Sequence, residues 1–389
     1  MKLKCSFDSL TGTLSGVSSV VEDAMSSEVM KNIIFRVHKD HKVDLIGINQ
    51  VITYRINLPE GDYETEFDEA EFKDSEVYYM QVKSKELTAF LNTFKSVRRT
   101  RVTDVIIEPV GVKIKVTVLE EDLDGDGKHK SAWLFDNIPI KPNLLESISL
   151  KYPEDNIALV DTTSILFYTA NLLPIMQNGS VALYSRLTFG DDKVVAFTAS
   201  FNTLMTNVLP DTLKGISLTY RAIAFMKNVI CNVPSVEVSR TDRHLCFRTD
   251  NAEAFIIYDT RMADYRMYLD MFKKDHAIVL DRKYFKDVLK RLSIVNDSVE
   301  FKISSSENIV SVKNSKFGQD IPILQTKGMD ELGEVKFKIL PDILDKAVIG
   351  DDSQFSDIIF LYLVPQQNGS SVLIFADDSG MWYSTASIR

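Results

Sequence analysis

Cysteine is scarce in this sequence, and its spacing forms no recognisable framework. Cys5, Cys231 and Cys246 are the only three, they lie far apart, and no CxxC pair occurs. Such usage supplies neither a disulfide scaffold nor a zinc site, and it is typical of a reducing compartment. We therefore expect an intracellular protein with no metal and no other cofactor.

Long apolar runs are also missing. No segment approaches the roughly 18 consecutive apolar residues that a membrane-spanning helix needs. The opening MKLKCSFDSL lacks the apolar stretch of a signal peptide. The expectation is a soluble, cytoplasmic protein without a membrane partner.

Recognisable catalytic motifs are absent as well. The sequence has no P-loop, no GxGxxG after a strand, no HExxH and no GxSxG nucleophile elbow. Its five histidines do not cluster beyond HKDH at 38–41, which is more typical of a hairpin turn than of a ligand pair. We expect no catalytic residues and no enzymatic activity.

The chain is acidic overall, so its net charge limits where a basic surface can occur. The 389 residues carry a formal charge of -10, and 45% of them are hydrophobic, which suits two or three globular domains. Bulk charge does not favour nucleic-acid binding, so any basic surface must be local.

The order of predicted elements recurs three times along the chain. First helices are predicted at 7–21, 162–176 and 281–295, and second helices at 84–97, 219–230 and 340–350, among many short alternating or apolar strands. This pattern predicts an α+β fold of three modules, each with two helices set on antiparallel sheets. The predicted boundaries give modules at 1–150, 151–273 and 274–389.

The helix at 281–295 concentrates positive charge. Phe285, Val288, Leu289 and Leu292 form one apolar face, and Asp281 is the predicted N-cap. Cations occupy the remaining surface, and the second helix of the first module repeats the pattern. A charged helix face is usually only a solvated one, but several such helices in an acidic protein favour sequence-independent phosphate contact. The candidate DNA-binding residues are Lys83, Lys85, Lys95, Arg98, Arg99, Arg101, Arg221, Lys227, Arg282, Lys283, Lys286, Lys290, Arg291 and Lys346.

Four stretches resemble a known family. The segment at 258–295 contains Arg261-Met262-Ala263-Asp264-Tyr265-Arg266 followed by a strand and a basic helix, and it resembles the junction of the second and third domains of bacterial DNA polymerase III β-subunit sliding clamps. The opening at 1–21, WLFDNIPIKP at 133–142 and the closing segment at 370–389 are similar to other parts of that family. Ala263 stands where the family's motif has proline, and this and other departures point to a phage or another mobile element.

The resemblance implies a ring of six modules, made by two chains in a head-to-tail homodimer that encircles double-stranded DNA. Its partners would be a DNA polymerase, which it tethers as a processivity factor, and a separate clamp loader. A partner-peptide pocket would include Leu204, Pro234, Val236, Val238, Met381, Tyr383 and Ile388, with a role in the core equally open for Val236 and Val238. The dimer interface would include Ser131, Ala132, Trp133, Leu134, Phe135, Phe317, Gln319, Ile321 and Ile323.

An alternative arises from the acidic stretch EEDLDGDGKHK at 120–130. Asp122, Asp124 and Asp126 match the first half of a calcium loop, but position twelve is Trp133 and the flanks are strands. The D-G-D-G segment is therefore better interpreted as a hairpin turn. A metal-dependent enzyme acting on phosphates, using these residues or Asp351 and Asp352, remains the second hypothesis.

Overall fold

The computed structural model describes residues 1–21, 28–72, 75–95, 100–123, 127–140, 142–176, 185–197, 201–261, 276–295, 297–304, 306–328, 334–339, 355–365, 371–377 and 382–388. Six α-helices fall within these ranges: α1 Phe7–Ser18, α2 Ser84–Asn92, α3 Pro142–Ile148, α4 Thr162–Leu172, α5 Tyr220–Asn228 and α6 Arg282–Leu292. Short 3₁₀ turns occur at Glu28–Lys31, Glu69–Phe72, Asp211–Leu213 and Ile230–Asn232.

Strands dominate the described chain. In order they are β1 Lys2–Ser6, β2 Asn32–His38, β3 Val43–Ile48, β4 Ile52–Asn57, β5 Tyr63–Glu66, β6 Val77–Lys83, β7 Thr100–Val110, β8 Lys113–Asp122, β9 Lys128–Asp136, β10 Ala158–Asp161, β11 Arg186–Phe189, β12 Lys193–Phe197, β13 Phe201–Thr206, β14 Ile216–Thr219, β15 Ser235–Arg240, β16 His244–Arg248, β17 Ala252–Ile257, β18 Ala277–Asp281, β19 Val299–Ser304, β20 Ile309–Lys313, β21 Gly318–Pro322, β22 Gln325–Lys327, β23 Val335–Ile339, β24 Ile358–Pro365, β25 Ser371–Asp377 and β26 Trp382–Ile388.

The first compact unit comprises residues 1–162 and 228–258. It holds a five-stranded sheet in the order β5-β1-β7-β8-β9 and an eight-stranded sheet in the order β10-β15-β16-β17-β4-β3-β2-β6. The eight-stranded sheet is continuous because β17 pairs with β4, opposing Ala252 to Ile56. Strands from the first and second predicted modules therefore share one hydrogen-bonded ladder.

The second compact unit comprises residues 163–227 and 259–389. Its nine-stranded sheet runs β14-β11-β12-β13-β26-β25-β24-β18-β22, and a four-stranded sheet runs β21-β20-β19-β23. Here β13 pairs with β26, opposing Leu204 to Tyr383. This pairing joins the second predicted module to the end of the third.

Burial follows the predicted apolar patterns. On α6 the four residues of the apolar face, Phe285, Val288, Leu289 and Leu292, are at most 1% exposed. In the five-stranded sheet, Ile114, Val116 and Val118 of β8 lie buried at every second position, and Thr117 between the last two is also buried. The helices thus pack their apolar faces on sheets and leave their polar faces outward.

The predicted α+β class is confirmed, with helices set among antiparallel sheets. Five of the six predicted helices form, although each ends two to five residues early, and the sixth, at 340–350, lies outside the described residues. Helix α3 was not predicted. Its Leu144 and Ile148 pack on Ile34, Ile46 and Ile48 of the eight-stranded sheet. The module boundaries near 150 and 273 stay predictions.

Candidate nucleic-acid interface

Helix α6 is a well-formed cationic helix. Asp281 caps it as predicted, since its carboxylate accepts a hydrogen bond from the Tyr284 backbone N–H at 2.7 Å. Lys283, Lys290 and Arg291 are exposed on its outer face, while Lys286 is half-buried. Lys283 Nζ lies 3.0 Å from Asp357, and Lys290 Nζ lies 3.9 Å from Asp287. Exposed pairs of this kind are weak, so both lysines can exchange a carboxylate for a phosphate.

Arg282 corrects the sequence prediction, because it is fully buried rather than exposed. Its Nε donates to the Ser356 carbonyl at 2.7 Å, and its guanidinium carbon lies 5.8 Å from the centroid of the Phe355 ring. Helical side chains point back toward the helix N-terminus, which directs this first-turn arginine onto the 355–357 segment. Its burial favours a role in the fold over one in phosphate contact.

Helix α2 places its cations around a short apolar face. Leu87 and Leu91 are buried, whereas Lys85 and Lys95 are exposed. Lys83 is half-buried at the helix start, where its Nζ lies 3.3 Å from Glu86. Arg101 is exposed but lies on β7, opposite Glu121. Arg98 and Arg99 lie outside the described residues.

The adjoining helix α1 contributes hydroxyl groups in place of charge. Ser84 Oγ of α2 donates to Ser18 Oγ of α1 at 3.3 Å, so the two helices lie side by side. A groove of about 250 Å³ runs between them, bordered by Thr11, Ser15 and Lys95 among others. This surface combines hydroxyls and ammonium groups, both of which donate hydrogen bonds to phosphate.

Helix α5 carries two cations, fewer than the five of α6. Arg221 is exposed and Lys227 is half-buried near the helix end. Lys346 lies outside the described residues. The structure therefore gathers predicted DNA-binding residues mainly on α2 in the first unit and on α6 in the second.

The predicted dimer-interface residues lie on or beside two edge strands. β9 ends the five-stranded sheet and β21 ends the four-stranded sheet. Trp133 and Leu134 of β9 are 58% and 55% exposed, and Ala132 is exposed beside them. Such an edge leaves a row of backbone N–H and C=O groups for another strand.

The remaining interface residues are less accessible. Ser131, Phe317 and Gln319 are half-buried. Phe135, Ile321 and Ile323 are at most 3% exposed, so their side chains belong to the core and only their backbones can serve an edge contact.

Contacts between the cationic helices and the edge strands were not anticipated from the sequence. In the first unit, the Phe90 ring of α2 lies 6.1 Å from Trp133 and 5.9 Å from Phe135 of β9, measured between centroids. In the second unit, Arg291 Nη1 of α6 donates to Gln319 Oε1 of β21 at 3.3 Å. The only sequence signal for these contacts was Phe90 on the apolar face of α2, and the sequence did not indicate which strand its ring would contact.

The predicted peptide pocket receives little support from burial. Leu204, Val236 and Val238 are at most 1% exposed, which favours a role in the core for these three. Pro234 is exposed, and its carbonyl accepts from the Thr162 backbone N–H at 3.1 Å. Met381 lies outside the described residues, and only the backbones of Tyr383 and Ile388 are described.

The described ends of the acidic stretch lie on β8 and β9, which pair with Glu121 opposite Lys128. The Asp122 N–H donates to the Gly127 carbonyl at 2.9 Å, and His129 Nε2 lies 2.9 Å from Asp122 Oδ1. Asp124, Asp126, Asp351 and Asp352 lie outside the described residues. Within the described part of the chain, no three His, Cys, Asp or Glu side chains are grouped to hold a metal.

The cysteines have the properties of packing residues. Burial raises the pKa of Cys5 to about 12, with Asp104 adding to the effect, and burial also raises the pKa of Cys246 to about 12. Both thiols therefore stay protonated near neutral pH and are poor nucleophiles. None of the described helices has the length and apolar character required to cross a membrane.

Comparison with solved structures identifies the fold. The whole chain superimposes on DNA polymerase III β-subunit structures, including one described as such from Eubacterium rectale at 14% identity and a TM-score of 0.76, covering 100% of this chain and 99% of that one. A DNA polymerase sliding clamp from Bacillus subtilis matches at 11% identity and a TM-score of 0.75, with coverage of 100% and 99%. The β subunit from Streptococcus pyogenes matches at 12% and 0.74, with both chains fully covered.

The fold that the resemblance implied is thus confirmed over the entire chain. No family model matches this sequence, and no curated protein matches it either. The likeness is therefore visible in the backbone and faint in the sequence.

We expect Arg282→Met to lower stability without lowering DNA affinity. Removing the guanidinium leaves the part-buried Ser356 carbonyl and the buried Phe355 carbonyl without this donor, which costs about 1 to 3 kcal/mol. Lys290→Met, on the exposed face of the same helix, is the matched control. It should lower DNA affinity without lowering stability. Denaturant unfolding and fluorescence anisotropy with duplex DNA measure the two effects. Weaker DNA binding by a stably folded Arg282→Met protein would contradict the assignment.

Proposed function

We propose that this chain is a DNA sliding clamp, a processivity factor that encircles duplex DNA and tethers a replicative polymerase. The observation that carries this proposal is the end-to-end match of the fold with polymerase β subunits and sliding clamps. The cationic helices add independent support, since they provide local basic surface on a protein of net charge -10. The role requires no catalysis, so the protein would not be an enzyme.

DNA would be held through its phosphates and not through its bases. Exposed Lys85, Lys95, Lys290 and Arg291 suit counterion displacement, which is independent of sequence. A weak, delocalised attraction of this type lets a protein slide along the duplex. Half-buried Lys83, Lys227 and Lys286 would add long-range attraction.

Closure of the ring would use the two edge strands. Pairing of β9 in one copy with β21 in another extends both sheets and removes two exposed edges, as a head-to-tail homodimer requires. Exposed Trp133 and Leu134 would be covered by this pairing. Three modules in each chain would then give six in the ring.

The remaining partners follow from the same proposal. A closed ring without a nucleotide-binding motif needs a separate clamp loader, and its task is to tether a DNA polymerase. Both would be met in the cytoplasm. The weak sequence match fits an origin in a phage or another mobile element. For the metal-dependent alternative, the described residues offer no assembled site, so we do not favour it.

Neutralising the helix cations should weaken DNA binding. In a triple variant Lys95→Gln, Lys286→Gln and Lys290→Gln, affinity for duplex DNA should fall, and the slope of log affinity against log salt should shrink by about 0.9 for each phosphate that the variant no longer neutralises. The matched control converts Lys42, Lys336 and Lys338 to Gln, which gives the same charge change on strands and loops. An equal decrease of affinity in both variants, measured by anisotropy, would reject the helices as the DNA-facing surface.

A charged side chain placed on edge strand β9 should open the ring. Leu134→Lys introduces an ammonium group where strand pairing would bury it, so the dimer should dissociate to monomers in sedimentation velocity. Leu159→Lys is the matched control, because Leu159 is 75% exposed on β10, another edge strand outside the proposed interface. A wild-type chain that stays monomeric at high concentration would refute the homodimer.

A further inference from the structure

We propose that DNA binding to the cationic helices and pairing of the two edge strands are linked equilibria, with duplex DNA strengthening the dimer. This inference rests on the proposed function, because it takes α2 and α6 as DNA-facing and β9 and β21 as the strands that pair. It adds a coupling that neither assignment alone contains. The coupling follows from direct contacts in each unit.

In the first unit the link is aromatic. Phe90 lies on α2 between the exposed Lys85 and Lys95, and its ring contacts both Trp133 and Phe135 of β9. Phe135 is 2% exposed and anchors the strand, while Trp133 is 58% exposed and would be covered on pairing. Because these rings are in contact, a displacement of α2 that moves Phe90 also changes the packing of Trp133.

In the second unit the link is polar. The Gln319 side chain of β21 bonds to two residues of α6: its carbonyl oxygen accepts from Arg291, and its amide donates to the Tyr284 hydroxyl. Arg291 is exposed and its guanidinium has five N–H donors, so it can bond to Gln319 and to a phosphate. The Arg291 side chain thereby belongs both to the proposed DNA-facing surface and to the proposed contact with β21.

Electrostatics sets the direction of the coupling. A cationic helix lies directly behind each edge strand, so pairing β9 of one copy with β21 of another brings α2 of the first near α6 of the second. Exposed Lys85 and Lys95 would then face Lys290 and Arg291 across the joint. With Lys83 and Lys95 flanking it, α2 has three lysines against Glu86, and α6 has five cations against Asp287, so both regions stay net positive. Like charges within a Debye length of roughly 8 to 10 Å repel one another.

Duplex DNA relieves this repulsion, because its phosphates neutralise both helices together. A ligand that binds the dimer better than the monomer shifts the equilibrium toward the dimer, and linkage requires that the dimer bind DNA correspondingly better. We expect duplex DNA to lower the dimer dissociation constant by at least about fivefold, the lower end of typical coupling.

The test is a measurement of the dimer dissociation constant with and without DNA. Sedimentation velocity of fluorescently labelled protein over a dilution series, with and without a saturating short linear duplex, gives the ratio of the two constants. A short linear duplex can slide out of the ring whether the ring is open or closed. Topological trapping therefore does not contribute to the measured ratio. The same concentration of a free mononucleotide controls for ionic strength.

Two pairs of variants examine the two links. Arg291→Gln removes the shared guanidinium, whereas Lys290→Gln makes the same charge change at a neighbour that pairs with Asp287 and not with β21. Phe90→Leu removes the ring that contacts Trp133, whereas Phe94→Leu removes a ring in contact with Phe90. The ratio should fall toward one in Arg291→Gln and in Phe90→Leu. It should fall less in Lys290→Gln, which removes one repelling charge but no bond to β21, and it should be largely retained in Phe94→Leu.

The outcomes separate this inference from the proposed function. A wild-type chain that dimerises and binds DNA with a ratio of one overturns the coupling and leaves the clamp proposal intact. Undiminished coupling in both Arg291→Gln and Phe90→Leu overturns the assigned links. A chain that never dimerises overturns the coupling and the homodimer together.

Discussion

Main-chain pairing between strands far apart in the sequence is the constraint on which the rest of this structure depends. The ladder between β4 and β17 opposes Ile56 to Ala252, and the ladder between β13 and β26 opposes Leu204 to Tyr383. Each ladder fuses strands of different predicted modules into one sheet. The sheets in turn provide the surface on which the amphipathic helices bury Leu87, Leu91, Phe285 and Leu289. Without those continuous sheets the cationic faces would have no fixed support.

Much of the fold could be predicted because helix periodicity is local. Helix α6 was predicted closely from the spacing of Phe285, Val288, Leu289 and Leu292 and from the cap at Asp281. Helix α3 was not predicted because its segment is short and packs on Ile34 and Ile46, which lie about a hundred residues earlier in the sequence. Sheet order, which depends on long-range pairing, was equally out of reach without the family resemblance.

The candidate site was predicted less completely. The alternation of cations with apolar residues identified the helices, yet it could not distinguish exposed Lys283 from buried Arg282, its immediate neighbour. That distinction depends on where the 355–357 segment runs, which a helical pattern does not contain. Burial likewise favours a role in the core for Leu204, Val236 and Val238, and the pocket itself stays a prediction. The link between Arg291 and Gln319 could not be predicted either, since the two residues belong to different elements that only the fold brings together.

The central claim is that a closed ring holds DNA by topology, with its cationic helices supplying only weak attraction. The most direct test assembles the ring around DNA by concentrating dilute protein together with nicked circular DNA. Half of the sample is then linearised with a restriction enzyme. Both halves are passed over a sizing column in high salt. The account predicts that the protein elutes with the circle and dissociates from the linear product. Equal retention on both forms, or none on the circle despite a dimer in solution, would contradict it.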